Sequence, residues 1–391
     1  MSDPLTADIL PRLASVRSEE WAGLFAGHPD PFELVRLIES SGMDGFSFSS
    51  VVVRQDGRPI LLVPVFETVF DLASMLDGAR RAIVRALARL APSILRPRML
   101  GIGFIEGEWG QVGLLHGLDG RTQRRAWSLA SAAVEQLRGQ RRANLKLCLN
   151  LTPQAAAQIP DDVVREYGSI ETYPCGRVDV GFRSVDQYLA RLSRSMRHDL
   201  RRKLRSAEHI DIRRTADPSP WLDRIMELYG GTVDRAELSL GRHRRTFFER
   251  VCREVPGAEY VLYLLHGRLI AFNLLVNSPA LCVDKYFCMD PQVGREHNLY
   301  FVSWIENVKW CIERGIPVYH AGPGAEATKA RLGARFIPSI TLFHHANPIA
   351  QAIMSALRGL VAYRPAVDLT RPQPSDVPAP AALPAVEGHL P

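Results

Sequence analysis

The stretch that decides the fold lies at residues 260–276, which read YVLYLL, then HGR, then LIAFNLLV. Two apolar runs that flank a short turn containing glycine are typical of a β-hairpin. The same pattern occurs earlier, where VVV at residues 51–53 and ILLVPVF at residues 60–66 flank the turn QDGR at residues 55–58. Asp-Gly between apolar runs is a strong signal for a two-residue turn. The sequence therefore predicts two β-hairpins, one in each half of the chain.

Each hairpin is followed by alternating helices and strands, which predicts an α/β (α+β) fold. After the first hairpin we expect a helix at residues 73–90, a strand at 99–105, a helix at 122–137 and a strand at 145–151. After the second we expect a strand at residues 281–289, a helix at 298–314 that ends at Gly315, and a strand at 318–321. The similar order indicates two related halves, each a mixed central sheet flanked by helices.

The predicted domain boundaries follow from this repeat. One domain covers residues 1–175, and the second covers residues 176–350 and carries the predicted catalytic site. A short helix is expected at residues 351–364. Residues 365–391 contain seven prolines among alanines and serines, so we expect a disordered C-terminal tail.

The composition excludes several classes of protein. Of 391 residues, 46% are hydrophobic and 23% are charged, which is usual for a globular chain and excludes a mostly disordered or collagen-like one. No apolar run approaches the roughly 20 residues that a membrane-spanning helix needs, so we expect no stable membrane insertion. The net charge of +6 permits an anionic ligand but does not require a nucleic acid.

The cysteines and the N-terminus predict a cytoplasmic location. The six cysteines show neither a CxxC pair nor a spacing that fits a metal site, so we expect buried reduced thiols and no metal ion. The first residues lack the basic and apolar regions of a signal peptide.

A basic helix is predicted between the halves, at residues 184–207. Its apolar residues fall three or four positions apart and form one stripe; they are Leu189, Leu192, Met196, Leu200 and Leu204. Its other faces carry Arg191, Arg194, Arg197, Arg201, Arg202, Lys203 and Arg205. Two interpretations are open: a solvated amphipathic helix that packs on the domain, or a surface that binds polyphosphate or tRNA, with Arg197 and Arg201 as substrate-binding residues. A second, weaker stripe of Arg81, Arg85 and Arg89 is compatible with contact to a membrane surface.

Three segments resemble the FemAB-like branch of the GNAT acyltransferase superfamily. Residues 192–204, LSRSMRHDLRRKL, are similar to the basic entry helix of that branch. Residues 315–324, GIPVYHAGPG, followed by TKARLG at residues 328–333, are similar to its closing signature. Residues 20–32, which begin with EW and end with PF, resemble its opening segment. The resemblance implies two tandem GNAT-like domains and transfer of an acyl group from acyl-CoA or aminoacyl-tRNA to an amine.

The resemblance also implies where a donor binds. A GNAT domain holds the pyrophosphate of CoA with a glycine-rich loop between a strand and a helix. The corresponding junction is QVGREHN at residues 292–298, with one glycine where the family pattern has two. The implied cofactor-binding residues are Gln292, Gly294, Arg295 and Asn298, with acyl-CoA as a co-substrate and no tightly bound cofactor. The missing glycine leaves aminoacyl-tRNA open as the donor.

Lys329 is the first candidate catalytic residue. The resemblance implies a lysine at this place that binds a substrate anion, and lysine is scarce, because the chain has only five. We expect an exposed loop lysine that holds a carboxylate or phosphate near the reacting acyl group; the alternative is a solvated side chain. Gly322 and Gly324 let the backbone approach this substrate, or they merely form a turn.

Three polar residues interrupt the predicted strand at 281–289. Alternation places Asp284 and Tyr286 on one face, with Lys285 on the other. Charged residues in so apolar a strand either line a cleft or form a structural ion pair. In a cleft, Asp284 is the candidate general base, Tyr286 is a second catalytic residue beside it, and Lys285 binds substrate.

The sequence thus predicts a GNAT-type N-acyltransferase that moves an acyl group from acyl-CoA to an amine of a small molecule or cell-envelope precursor. A FemAB-like aminoacyltransferase that uses aminoacyl-tRNA is the first alternative. A non-catalytic module that binds an anion or a glycan is the second. The sequence does not determine an oligomeric state.

Overall fold

The structure is a computed structural model and describes residues 5–13, 16–25, 28–69, 96–107, 112–236 and 241–363. The predicted helix at residues 73–90 with its arginine stripe, and the tail at residues 365–391, lie outside these residues. Strands β1 to β13 are Thr6–Leu10, Ser47–Gln55, Arg58–Val69, Arg98–Ile102, Gly113–Leu114, Leu145–Leu151, Gly168–Asp179, Asp211–Thr215, Ala258–Leu265, Arg268–Asn277, Cys282–Met289, Val318–Gly322 and Arg335–His345. Helices α1 to α13 are Ser18–Leu24, Phe32–Ser41, Gly120–Arg141, Pro153–Ala156, Asp161–Val164, Val185–Arg191, Arg194–Arg205, Leu222–Arg235, Arg245–Glu254, Val293–Glu296, Leu299–Arg314, Glu326–Arg331 and Pro348–Val361.

The strands of the described residues form one sheet with a mirrored order. From one edge to the centre the order is β1-β2-β3-β4-β6-β13, and from the centre to the other edge it is β7-β12-β11-β10-β9-β8. β5 lies off this path, beside β3. The parallel pairs occupy equivalent places, because β4 pairs with β6 and β11 pairs with β12. The two halves therefore repeat one arrangement, a mixed sheet flanked by helices, as the sequence predicts.

Two strands join the halves. β7 pairs with β13 through residues 168–177 and with β12 through residues 176–179, so the predicted boundary after residue 175 falls inside this strand. β13 comes from the end of the C-terminal half, yet it pairs with β6 of the N-terminal half. One buried apolar cluster also crosses between the halves, where Leu34 of α2 and Phe248 of α9 belong to the same core. The halves thus share both a hydrogen-bond ladder and a core.

Both predicted hairpins are confirmed, and their turns have the same backbone conformation. Asp56 and Gly57, between β2 and β3, have φ of 51° and 75°. His266 and Gly267, between β9 and β10, have φ of 51° and 78°. Positive φ at both central residues is the type I′ turn that matches the twist of antiparallel strands.

The prediction of one continuous basic helix at residues 184–207 is wrong, because two helices cover this segment. α6 ends before Leu192, and α7 begins after Ser193, whose hydroxyl accepts a hydrogen bond from the Met196 N–H (3.2 Å). A serine at this position satisfies an N–H group that the first turn of a helix leaves unpaired. The apolar stripe is buried as expected, with Met196 and Leu200 in a cluster that also contains residues of α11.

The helices cover both faces of the sheet. Alternate residues of β9 divide between two clusters, with Tyr260 and Leu262 on the side of α2, α8 and α9, and Val261 and Tyr263 on the side of α6, α7 and α11. This division is the period-two pattern of a strand that is covered on both sides. None of the helices in the described part of the chain is both long and apolar enough to cross a bilayer.

Candidate active site

The parallel strands β11 and β12 diverge in the middle of the C-terminal half. Their ladder has two register pairs, Cys282 with Tyr319 and Val283 with His320. Beyond these pairs β11 continues beside β10 as far as Met289, while β12 continues beside β7. A gap therefore opens between the end of β12 and the part of β11 after Val283. Backbone groups that leave a ladder can offer hydrogen bonds to a ligand.

Asp284 is the first residue of β11 after the strands part, and a polar network holds it. Its carboxylate accepts hydrogen bonds from the Asn273 amide (2.9 and 3.0 Å), the Asn307 amide (3.2 Å) and the Tyr319 hydroxyl (2.9 Å). Burial, followed by the charge of Asp284, raises the pKa of Tyr319 well above its usual value, so this hydroxyl remains a donor. These hydrogen bonds hold the Asp284 side chain at the point where the two strands diverge. Its role as a general base stays a prediction.

Lys285 lies in a β-bulge, which changes the direction of the side chains around it. In the ladder with β10, Leu275 is opposite Asp284 and Leu274 is opposite Tyr286, so Lys285 is the extra residue of the bulge. The predicted alternation, with Tyr286 on the face of Asp284, is therefore wrong. Lys285 and Tyr286 both contact the N-terminal half, whereas Asp284 contacts α11.

The residues that meet at this junction form a group that we call the seam cluster: Asp30, Glu106, His243, Lys285 and Tyr286. The Lys285 ammonium lies 3.0 Å from Asp30 Oδ1 and donates a hydrogen bond to the Glu106 backbone carbonyl (2.8 Å). The Tyr286 hydroxyl donates to Glu106 Oε2, and His243 Nε2 lies 2.6 Å from the same oxygen. The interpretation of Lys285 as one half of a structural ion pair is thus supported.

Glu106 is the charged centre of the seam cluster. Burial alone would raise the pKa of its carboxyl group, but His243, the Tyr286 hydroxyl and Lys285 outweigh burial, and the pKa lies below its usual value. Burial, followed by the charge of Glu106, raises the pKa of Tyr286 well above its usual value. At neutral pH the group therefore contains a carboxylate and a phenol. The side chain of Glu106 is 25% exposed, whereas that of His243 is 0% exposed.

Sequence analysis missed Asp30, Glu106 and His243. These residues lie outside the helices and strands, in segments far apart in the chain. No motif or periodicity links such positions, so only the fold brings them together. The one local signal is an acidic residue between apolar residues and a glycine, in FIEG at residues 104–107.

The predicted phosphate loop is closed by its own residues. The N–H groups of Gln292 and Val293 lie 3.2 and 3.3 Å from the Asp290 carboxylate, and the N–H of Gly294 donates to the Asp290 carbonyl (2.9 Å). A Cβ on Gly294 would lie 2.6 Å from Met289 Sδ, so a larger residue at this position would require the Met289 side chain to shift. The expectation that Gln292 and Gly294 offer their N–H groups to a pyrophosphate is corrected, because Asp290 already occupies them.

The basic helix α7 lies against the start of α11. The Asn298 amide donates to the Ser206 hydroxyl (3.0 Å), and His297 Nδ1 lies 3.2 Å from the Ser206 carbonyl oxygen. The Lys203 ammonium lies 3.3 Å from the centre of the Phe301 ring. Among the described residues no side chain caps α11 at Asn298, so its first N–H groups and the positive end of its dipole face this region. Two predicted features that are remote in sequence are therefore adjacent.

The predicted anion-binding arginines differ in their surroundings. Arg197 donates to the carbonyls of Ala190 (2.8 Å) and Leu192 (3.1 Å). It therefore caps the end of α6 through one of its nitrogens, and its role in binding substrate stays a prediction. Arg201 and Arg295 are exposed and remain candidate contacts for a donor.

Lys329 is buried, with 4% of its surface exposed. Its ammonium donates to the carbonyls of Ala321 (2.7 Å), Gly322 (2.9 Å) and Pro323 (2.9 Å). Three carbonyls match the three N–H donors of an ammonium group. The expectation of an exposed loop lysine is therefore wrong, and in this structure Lys329 fixes the turn after β12. Gly322 and Gly324 have φ of 68° and 80°, which glycine adopts without strain, and this supports the turn interpretation.

The cysteines are packed in the interior. Five of the six are buried, as the sequence predicts. In the part of the chain that the structure describes, no group of three or more His, Cys, Asp or Glu side chains could hold a metal ion.

Comparisons with known proteins agree with this geometry. Residues 194–330 match the family model of the acetyltransferase (GNAT) domain. No curated protein sequence matches the chain significantly. FemX is 12% identical, with a TM-score of 0.53 over 88% of this chain and 99% of that one. A tandem GNAT protein from the clavulanic acid biosynthesis pathway is 14% identical, with a TM-score of 0.51 over 88% and 99% of the two chains.

A conserved protein of unknown function from Bacteroides thetaiotaomicron VPI-5482 is 11% identical, with a TM-score of 0.51 over 83% of this chain and 95% of that one. Likeness at such identities concerns the fold, whereas the family match concerns the sequence of the C-terminal half. Residues 194–330 are therefore similar to the acetyltransferase (GNAT) domain, and the fold of the chain is similar to those of FemX and the tandem GNAT protein.

Proposed function

We propose that the C-terminal half transfers an acyl group from a phosphate-bearing donor to an amine of a small molecule or cell-envelope precursor in the cytoplasm. One observation carries this proposal: the part of β11 beyond its ladder with β12 contacts the start of α11, where the Phe287 and Tyr300 ring centres lie 6.0 Å apart, and the basic helix α7 contacts the same helix start. A gap beside freed backbone suits an acyl group, and positive charge at a helix start suits phosphates.

Acyl-CoA is the first candidate donor. Its phosphates would lie at the start of α11, where Arg201 and Arg295 are exposed. Its acyl thioester would reach into the gap beside Asp284. The match of residues 194–330 to the acetyltransferase (GNAT) domain supports this donor.

Aminoacyl-tRNA is the second candidate, and one observation favours it. Asp290 occupies the N–H groups that would otherwise bind a pyrophosphate. A larger basic surface is nevertheless available on α6 and α7, where the exposed arginines are Arg191, Arg194, Arg201, Arg202 and Arg205. Repeated cations on one surface bind a nucleic acid backbone with an affinity that falls as salt rises.

Either donor would react by the same chemistry. The amine nitrogen forms a bond to the acyl carbon, and the bond from that carbon to the sulfur or oxygen of the donor breaks. The amine loses one proton, and the leaving group takes the electron pair of the broken bond. Backbone N–H groups on the free edge of β11 would stabilise the oxyanion that forms between these steps. Lys329 would act as a positioning residue, because it fixes the turn of residues 321–323 on the other side of the gap.

The donor can be identified by titration calorimetry at low salt with acetyl-CoA, a longer acyl-CoA and a bulk tRNA preparation. Saturable binding of an acyl-CoA is expected if the first candidate is right, and binding of tRNA alone if the second is right. Product formation with a primary amine then tests transfer. If neither donor binds, the acyl-transfer proposal is wrong, and a non-catalytic anion- or glycan-binding module takes its place.

A matched pair of variants tests the location of the donor. Arg201→Ala removes an exposed cation of α7, and Arg58→Ala removes an exposed cation from the turn between β2 and β3. We expect Arg201→Ala to weaken donor binding about two- to fivefold, which is the size of one exposed ionic contact. The loss should be larger at low salt. Equal affinities of the two variants would contradict this placement.

A further inference from the structure

We propose that the N-terminal half binds a neutral, unbranched hydrocarbon chain in an apolar cavity beneath α3, where the indole N–H of Trp127 donates to an oxygen atom of the ligand. The chemical class that fits is the chain of an uncharged ester or alcohol. The cavity lies outside the half in which acyl transfer is proposed, so this inference does not depend on that function.

The cavity lies between α3 and the sheet, at the end of two parallel strands. Trp127 and Ala130 of α3 line the helix side, whereas Ile102 of β4 and Cys148 of β6 line the sheet side. Ile102 and Cys148 form the last register pair of these strands, so the cavity begins at their carboxyl ends. Ligands of open α/β sheets bind at this end of parallel strands. In the other half, the gap beyond the ladder of β11 and β12 occupies the corresponding place.

The cavity is narrow and opens on one side. Its free space is about 470 Å³ when the open side is included. Ala130 and Leu151, deep in the cavity, are each 1% exposed. Ser131 of α3, Val163 of α5 and Tyr167 also line it and are half-buried. The opening therefore lies between α3 and α5, and its shape suits an unbranched chain better than a ring.

The lining favours an uncharged ligand. Most of its side chains are aliphatic, and the described residues that form it include no lysine or arginine. Burial raises the pKa of the Cys148 thiol to about 12 and that of the Tyr167 hydroxyl above its usual value, so both stay uncharged at neutral pH. Lys146, whose ammonium lies 5.2 Å from the centre of the Tyr167 ring, is paired with Glu135 (3.0 Å). A carboxylate would therefore enter the cavity without a counter-charge, which is strongly unfavourable.

Trp127 supplies a hydrogen-bond donor without a partner. The residue is 6% exposed, and its Nε1 has no acceptor in the described part of the chain. The N–H of a buried tryptophan usually has a partner. Trp304 of α11, which is buried in the other half, follows this rule, because its indole N–H donates to the Tyr188 hydroxyl (2.8 Å). An oxygen atom of a ligand would provide the acceptor that Trp127 lacks.

A water molecule and an empty space are the competing occupants. A buried water needs two to four polar partners. Among the described lining residues, the N–H of Trp127 is the one buried side-chain N or O atom without a hydrogen-bond partner. An empty cavity would leave this donor unsatisfied. A hydrocarbon chain with one oxygen atom both fills the apolar space and accepts this hydrogen bond.

The experiment titrates the full-length protein with 1-butanol, 1-hexanol and 1-octanol, and with octanoate as the charged counterpart. Labelling with ¹⁵N lets nuclear magnetic resonance follow the indole N–H signals, and Trp127→Phe identifies the signal of Trp127. We expect 1-octanol to shift this signal saturably. Two added CH₂ groups should tighten binding by up to about 15-fold, since one buried CH₂ group corresponds to about fourfold in affinity. Octanoate should bind at least about tenfold more weakly than 1-octanol.

Two variants of α3 test the location of the ligand. Ala130→Leu adds an isopropyl group inside the cavity, and Ala132→Leu makes the same change at an exposed position of the same helix. Ala130→Leu should weaken the binding of 1-octanol about tenfold or more, because its added carbons take the space of two or more CH₂ groups of the ligand. Ala132→Leu should bind 1-octanol as the wild type does. If Ala130→Leu does not fold, Ser131→Leu at the opening provides the same comparison.

The other outcomes overturn the inference. If no alcohol shifts the Trp127 signal, the cavity holds no chain. If Ala130→Leu (or Ser131→Leu) and Ala132→Leu bind 1-octanol equally well, the alcohol binds elsewhere. If octanoate binds as tightly as 1-octanol, the assigned ligand chemistry is wrong. None of these results bears on the proposed acyl transfer, which is tested by donor binding without the alcohols.

Discussion

Replacing Lys329 with methionine should destabilise the protein, because the ammonium of Lys329 is part of the interior. The residue is 4% exposed, and its three N–H donors bind the carbonyls of residues 321–323 at 2.7 to 2.9 Å. Methionine has a similar length and fills the same space, but it donates no hydrogen bond. The substitution therefore removes the hydrogen bonds and the charge while it preserves most of the packing.

The size of the effect follows from what each carbonyl can do afterwards. Gly322 is buried, and a buried acceptor that loses its donor costs about 1–3 kcal/mol. Ala321 is half-buried and Pro323 is exposed, so their carbonyls can bind water and each costs about 0.5–1 kcal/mol. The free energy of unfolding should fall by about 3 kcal/mol. With an unfolding entropy of about 0.8 kcal/mol/K for a chain of this length, the midpoint of thermal unfolding should fall by about 4 °C.

Lys309→Met is the matched control. Lys309 lies on α11 with 48% of its side chain exposed, and its nearest charged partner, Glu306, is 3.8 Å away. An exposed ion pair of this kind contributes little, so the same chemical change should shift the midpoint by less than about 1 °C. Calorimetric scans of both variants at one pH and one salt concentration measure the difference.

A midpoint for Lys329→Met within about 1 °C of that for Lys309→Met would refute the reasoning. It would mean that the three carbonyls find water or that the ammonium is not held in solution. In that case Lys329 would again be a candidate for an exposed lysine that binds an anion.

Two further substitutions test local features of the fold. Gly294→Ala places a Cβ 2.6 Å from Met289 Sδ and should lower the free energy of unfolding by about 1–3 kcal/mol. The control is Gly23→Ala, whose Cβ would have no atom within 4 Å and should not lower it. Equal midpoints of thermal unfolding for the two variants would mean that Met289 moves aside. Burial raises the pKa of Glu39 from 4.5 to about 7, despite the Leu13 N–H and Arg12. The pKa of Glu39 is higher in the folded state than in the unfolded state, so the folded state holds this proton more tightly. The stabilising contribution of the protonated side chain is complete below pH 4.5, and the free energy of unfolding falls by about 3 kcal/mol as the pH rises from there through 7. Glu39→Gln should remove that loss, so its midpoint should exceed that of the wild type at pH 8 but not at pH 4; a constant difference would contradict the assignment.

The features that could be predicted from the sequence are those that depend on neighbouring residues. Asp56 and Gly57 can adopt positive φ at small cost, so the turn between β2 and β3 is encoded locally. His266 and Gly267 form the equivalent turn for the same reason. The helix that ends at Gly315 is equally local, because a glycine in the left-handed conformation (φ 67°) terminates it.

The features that could not be predicted depend on pairing between distant segments. Nothing near residues 335–345 indicates that β13 leaves its own half and pairs with β6. The bulge at Lys285 follows from the register between β10 and β11, and that one residue decides which side chains point to the seam. Glu106 became a candidate only when the fold placed it beside Tyr286 and His243.

The two halves share one fold but differ at the start of equivalent helices, and this difference bears on where the proposed donor would bind. α3 is the N-terminal counterpart of α11, and at its start the Asp119 carboxylate accepts hydrogen bonds from the N–H groups of Arg121 (2.9 Å) and Thr122 (3.0 Å). The hydrogen bonds from Thr122 hold the pKa of Asp119 below its usual value, so a negative charge closes that helix end against anions. The parallel strands β4 and β6 also stay together over four register pairs, against two for β11 and β12. We therefore expect the phosphate-bearing donor of the proposed function at the C-terminal half, where the side chain of Asn298 does not cap the start of α11.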